Sequence, residues 1–69
     1  MTTTPTFIKD HNGNAARVIT IEGIFVRYTV MTGTHRGRVF STRFSSVSVI
    51  TDPRHLSIAE ARWQRMIAV

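Results

Sequence analysis

The chain has 69 residues, the size of one small domain, and a core of that size rarely contributes more than about 3–5 kcal/mol of stability. It contains no cysteine, which excludes disulfide bonds and zinc sites built on thiolates. Nine basic and four acidic residues give a formal net charge of +5, and eight of the nine basic residues are arginine. Close packing or self-association therefore has to stabilise a strongly basic chain.

The composition is that of a globular protein, with 42% hydrophobic and 19% charged residues. Residues 1–6 lack the positive region and apolar stretch of a secretory signal, and no apolar run approaches the ~20 residues that cross a bilayer. We expect a cytoplasmic protein without membrane contact. Residues 1–5 are expected to be flexible and residues 6–69 to form a single domain.

Glycines at positions 13, 23, 33 and 37 divide the first two thirds of the chain into short alternating segments. Short strands with turn signals every ~8–12 residues are typical of a β-meander. The predicted strands lie at about 6–10, 15–21, 24–31 and 38–44. A further short run, 47–50, either extends the last strand or forms an edge strand, so three to four strands are expected with a fifth left open.

Two of the connections carry specific turn signals. Asn12-Gly13 predicts a type I′ hairpin turn, in which both central residues have positive φ. Near Gly23 the alternation of apolar residues changes phase between Ile21 and Ile24. Because strand side chains alternate with period two, Glu22-Gly23 is either a tight turn or a glycine bulge.

The C-terminal segment predicts one helix, at about 58–68. Ser57 and Glu60 have the spacing of a capping box, and Asp52-Pro53 ends the strand region. An apolar stripe at helical spacing consists of Ala59, Trp63, Met66 and Ile67. The predicted fold class is therefore α+β, an antiparallel β-meander followed by one C-terminal α-helix packed on one sheet face, with Trp63 as its largest buried surface.

The sequence contains no arrangement typical of an enzyme. The three histidines are far apart in the chain and no thiolate accompanies them, so neither a metal nor another cofactor is expected. The four carboxylates do not form an acid/base pair. The segment 33–38 has two glycines and two arginines, but it lacks the spacing and lysine of a phosphate-binding P-loop.

The basic residues suggest a binding surface. If Ile24, Val26, Tyr28 and Val30 face the helix, the outer face of the sheet carries Arg27 and Arg43 and ends at the 32–37 loop. The predicted nucleic-acid-binding residues are Arg27, Arg36, Arg38, Arg43 and His35. Arginine suits this role because its planar fork binds phosphate or guanine through two hydrogen bonds. Arg62 and Arg65 are instead assigned to the helix C-terminus, where cations favour the helix dipole.

We therefore expect a small, non-catalytic, basic accessory protein that binds nucleic acid, DNA in preference to RNA. Three antiparallel strands followed by a helix resemble the architecture of AP2-type and integrase arm-binding DNA domains; the resemblance is one of architecture and assigns no residue roles. The alternative is a protein-interaction or inhibitor module that docks on an acidic partner, since Phe25, Met31 and Val39 are expected on the outer face. A homodimer formed by a self-paired edge strand is a further alternative.

Overall fold

The structure is a computed structural model that describes residues 7–68. The expected flexibility of residues 1–5 lies outside the described residues, as does Thr6 of the first predicted strand. The strands are β1 (Phe7–Lys9), β2 (Ala15–Glu22), β3 (Phe25–Val30), β4 (Val39–Arg43) and β5 (Ser48–Val49). A 3₁₀ turn (Phe44–Ser46) separates β4 from β5, and the helix α1 spans Pro53–Ile67. Within residues 7–68, no helix has the length and apolar character needed to cross a bilayer.

The five strands form one antiparallel sheet in the order β4-β3-β2-β1-β5. The predicted α+β fold, with an antiparallel meander followed by a C-terminal helix, is confirmed. The run 47–50 supplies a fifth strand, which pairs with β1 so that Ile8 lies opposite Val49. The chain therefore crosses from one edge of the sheet to the other, and the residues that make this crossing cover one face.

We call the covered side the inner face. Its buried cluster consists of Ile8, Ala16, Val18, Val26, Tyr28 and Val30, with Phe44 and Val47 packed against it. Burial raises the pKa of the Tyr28 hydroxyl, and the negative charge of Asp10 raises that pKa further. The inner face is thus closed by the chain's own 44–47 segment.

The helix packs on the opposite side, which we call the helix face. Its core consists of Phe7, Met31 and Ala59, with Ala15, Ile50, Leu56, Trp63 and Met66 partly buried around them. The expectation that Val26, Tyr28 and Val30 face the helix is wrong. The even-numbered residues of β3 face the 44–47 segment, whereas Met31, which follows β3, packs under the helix on the other side of the sheet.

Two residues next to the ends of β3 differ from their predicted burial or position. Met31, expected on an exposed outer face, is buried under the helix. Ile24, expected in the strand facing the helix, lies in a turn and is exposed.

The first hairpin differs from its prediction. Gly13 has φ of +82°, but no non-glycine residue among those described has positive φ, so Asn12 cannot complete a type I′ turn. The Gly13 N–H donates to the Asp10 carbonyl and the Asp10 N–H donates to the Asn14 carbonyl, both at 2.9 Å. Gly13 and Asn14 together oppose Asp10, which is a glycine bulge. The Asp10 carboxylate favours this turn by accepting the N–H groups of Asn12 and Asn14.

The alternatives left open at Gly23 are resolved as a tight turn. Glu22 pairs with Phe25, so Gly23 and Ile24 form a two-residue connection. Gly23 has φ of +61° at the first central position, as a type II′ turn requires. A separate irregularity in the β2–β3 pairing lies at Ile19 and shifts the register of β2.

The helix begins five residues earlier than predicted. Asp52 is its N-cap residue, and the Asp52 carboxylate accepts the Arg54 N–H at 2.9 Å. Pro53 is the first helical residue, where its missing N–H costs nothing. The capping box predicted for Ser57 and Glu60 is wrong, because Asp-Pro already caps the helix and Ser57 lies inside it.

The apolar stripe of the helix is also shifted toward the N-terminus. The side chains packed on the sheet are Leu56, Ala59, Trp63 and Met66. Ile67, predicted in the stripe, is 55% exposed. Trp63 packs on the sheet as expected, but it is only partly buried.

Candidate nucleic-acid interface

Arg27 and Arg43 lie near each other on the exposed part of the sheet. In the pairing of β3 with β4, Arg27 lies opposite Ser41 and Arg43 lies opposite Phe25. The two arginines are therefore diagonal neighbours on one face, at a spacing that long side chains bridge. Both side chains are exposed.

This pair lies on the helix face. Thr29, two residues from Arg27 and so on the same side of β3, pairs with Arg17 of β2. The guanidinium of Arg17 lies over the ring of Trp63, 4.8 Å from its centroid, and Trp63 belongs to the helix. Arg27, Arg43 and the helix therefore share one side of the sheet.

His35 and Arg38 lie toward the other side. The His35 ring makes an edge contact with Phe40, with 5.7 Å between the ring centroids. Phe40 in turn lies opposite Tyr28, whose ring belongs to the inner face. The sequence predicted one group of binding residues, and the structure separates these two from the Arg27–Arg43 pair.

A second glycine bulge sets the direction of Arg38. Gly37 has φ of +87°, and its N–H donates to the Val30 carbonyl at 2.8 Å. The Val30 N–H donates to the Arg38 carbonyl at 2.9 Å, so both residues oppose Val30. Val39 pairs with Thr29 on the helix face. Because strand side chains alternate, Arg38 points toward the inner-face side.

Arg36 joins two arginines that the sequence analysis assigned to the helix dipole. It lines a cavity of about 490 Å³ together with Arg62 and Arg65, and the rest of the wall is Met31, Thr32 and Gly33. The sequence did not predict this group. The spacing of Arg62 and Arg65, one helical turn apart, was the available signal, but the loop that meets them could not be located without the helix position.

The loop that carries Arg36 is tied to the first hairpin. The Thr32 hydroxyl donates to the Asn14 Oδ1 at 3.2 Å and accepts the Ala15 N–H at 3.2 Å. The Met31 N–H donates to the Ala15 carbonyl at 2.8 Å. These bonds fix the start of the loop against β2.

Arg17 is a further basic residue on this face, but its charge interacts with aromatic rings of the protein itself. Its guanidinium lies 5.7 Å from the Phe7 ring centroid and 4.8 Å from that of Trp63. A cation between two aromatic rings gains from both ring faces. Arg17 therefore joins helix to sheet.

A second cavity, of about 440 Å³, lies between the helix and the β1–β5 edge. Its basic wall residues are Lys9, His55 and Arg62, and Asp52 is its acidic one. Arg62 lines both cavities and so lies between them. Among residues 7–68, no group of three His, Asp or Glu side chains is placed to hold a metal ion.

The acidic residues are few near the exposed arginines. Glu22 lies beside Arg27, where both line a shallow cavity of about 200 Å³. Asp10 is buried and accepts hydrogen bonds within its own hairpin. The helix face thus keeps an excess of positive charge. Comparison of the chain with protein-family models, with curated proteins and with solved structures finds no match.

Proposed function

We propose that the protein is a small, non-catalytic nucleic-acid-binding protein that contacts the phosphates of DNA through its helix face. The observation that carries this proposal is the distribution of arginine. One side of the sheet collects exposed arginines from a strand pair, a loop and the helix: Arg27, Arg36, Arg43, Arg62 and Arg65.

The chemistry of this side suits a polyanion. Each guanidinium can bind a phosphate through two hydrogen bonds. Exposed Phe25 lies opposite Arg43, so an aromatic ring accompanies the charges on the same face. An exposed aromatic ring beside arginines also allows stacking on unpaired bases.

The test is fluorescence anisotropy with a labelled mixed-sequence DNA duplex at about 50 and 200 mM salt. With about four phosphate contacts, the affinity should fall by about 100-fold across this range, because each contact releases condensed counterions. An RNA duplex as competitor tests the preference for DNA. Absence of binding at 50 mM salt, or a flat salt response, would refute the proposal.

A matched pair of variants tests which side of the sheet binds DNA. Arg27→Gln and Arg38→Gln remove the same charge from opposite sides of the sheet. We expect Arg27→Gln to weaken binding and to reduce the slope of log affinity against log salt by about 1, while Arg38→Gln leaves both nearly unchanged. Equal losses in the two variants would contradict binding through the helix face.

A second candidate function is docking on an acidic protein. It is favoured by the exposure of Phe25 and Val39, which share the helix face. Met31 no longer supports it, because Met31 is buried. A complex that persists at 200 mM salt and is lost in Phe25→Ala would favour this function. A melting temperature that rises with protein concentration would instead indicate a homodimer.

A further inference from the structure

We infer that the cavity lined by Arg36, Arg62 and Arg65, called here the arginine pocket, binds a terminal phosphate group. The pocket lies between the loop that follows β3 and the C-terminal half of α1. This inference goes beyond the proposed function, because a phosphorylated small molecule can occupy the pocket whether or not the sheet binds DNA.

The charge of the pocket calls for an anion. Three guanidinium groups line one cavity, and its remaining walls are Met31, Thr32 and Gly33, so no carboxylate of residues 7–68 lines it. Arg62 and Arg65 are three residues apart on one helix, a spacing at which like charges repel. A bound anion with two negative charges removes most of that repulsion.

The backbone holds the three arginines in fixed relative positions. Arg62 and Arg65 belong to one continuous helix. Arg36 lies in a turn whose Arg36 N–H donates to the Gly33 carbonyl at 3.3 Å. A Cβ at Gly33 would lie 3.0 Å from the Asn14 Oδ1, so this part of the loop fits closely against the first hairpin. Ligand binding therefore has to order the three arginine side chains but not the backbone that carries them.

A terminal phosphate matches this arrangement better than a carboxylate or a phosphodiester. It carries a charge of about −1.5 to −2 at pH 7 and presents three strong acceptor oxygens. A carboxylate and an internal phosphodiester each carry a single charge. The cavity is partly open to solvent, so the group attached to the phosphate can extend out of it.

The test is a titration of the ¹⁵N-labelled protein with inorganic phosphate at constant ionic strength, followed through the arginine Nε–H signals. We expect saturable shifts for Arg36, Arg62 and Arg65, and smaller, non-saturating changes for Arg54 in the first turn of the helix. Arg65→Gln should weaken binding by about tenfold or more, as the loss of a charge-assisted hydrogen bond implies. The matched variant Arg54→Gln should bind phosphate as the unmodified protein does.

Three results would overturn the inference. They are the absence of saturation, equal shifts at Arg54, and equal affinity in Arg65→Gln and Arg54→Gln. Circular dichroism of Arg65→Gln shows whether the fold is kept. If it is not, Arg36→Gln in the loop replaces it under the same criteria.

Further arms of the titration distinguish the source of the phosphate. A nucleoside monophosphate represents a free nucleotide, and a duplex with or without 5′-phosphates represents a strand end. A preference for the 5′-phosphorylated duplex that disappears in Arg65→Gln identifies a strand end. Saturation by the nucleotide without that preference identifies a small molecule.

The two proposals can fail separately. If DNA binding depends on Arg27 but no saturable phosphate site is found, this inference alone is overturned. Phosphate binding without DNA binding overturns the proposed function alone.

Discussion

The two faces of one sheet are built differently. On the inner face, Ile8, Val26 and Val30 are 0–1% exposed, and strand pairing together with the 44–47 segment excludes water from them. On the helix face, one helix covers only part of the sheet, and the charged Arg17 lies among the aromatic side chains that pack beneath it. We therefore expect the inner face to contribute more of the stability, whereas part of the helix face stays exposed.

The largest effect is expected from a substitution on the inner face. Ile8→Ala should lower the free energy of unfolding by about 2–5 kcal/mol, since it leaves a cavity at a side chain that is wholly buried. Urea denaturation followed by Trp63 fluorescence measures it. If this variant does not fold, Ile8→Val should still cost about 0.5–1.5 kcal/mol. A loss below about 0.5 kcal/mol in both variants would contradict the assignment of stability to this face.

A smaller effect is expected at the junction between helix and sheet. Arg17→Ala should cost about 1–2 kcal/mol, because it removes cation–π contacts with Phe7 and Trp63 and the packing of the arginine stem. The matched change Arg27→Ala removes the same side chain from an exposed position on the same face and should cost less than about 0.5 kcal/mol. Equal melting temperatures for the two variants would show that the Arg17 contacts add no stability.

The smallest expected effect tests at which residue the helix begins. Asp52→Ala should lower stability by about 1 kcal/mol, since the Asp52 carboxylate caps the Arg54 N–H. In a domain of this length that corresponds to about 4–8 °C in melting temperature. Ser57→Ala, inside the helix, should have almost no effect. A larger loss in Ser57→Ala than in Asp52→Ala would place the start of the helix at the later residue.

Local patterns were sufficient to predict the order and type of β1 to β4 and of the helix, whereas the 47–50 run was left with two alternatives. Alternating side chains located β2, β3 and β4 to within about two residues, and the glycines located the turns. Local conformations were harder to predict, because the same residues allow two solutions. Asp52-Pro53 ends a strand region and also begins a helix, and Asn12-Gly13 forms a glycine bulge when Asp10 can accept the loop N–H groups.

The assignment of faces could not be predicted, since it depends on a contact between distant parts of the chain. Apolar side chains lie on both sides of the β3 region, with Val30 toward one layer and Met31 toward the other. The alternation and the pairing of β3 with β4 place Arg27 and Arg43 together, but the packing of the helix on Phe7 and Met31 decides which side of the sheet it covers. The arginine pocket depends on the same decision, because Arg36 meets Arg62 and Arg65 only where the helix lies.

The pairing of β1 with β5 also has a consequence for how fast the chain folds. Ile8 and Val49 are about 40 residues apart in the chain, and contacts of such separation slow folding because loop-closure entropy is lost before they form. During synthesis, β1 lacks its outer neighbour until most of the chain has been made. The β2–β3 hairpin, with its two-residue turn, is therefore the part of the sheet expected to form first.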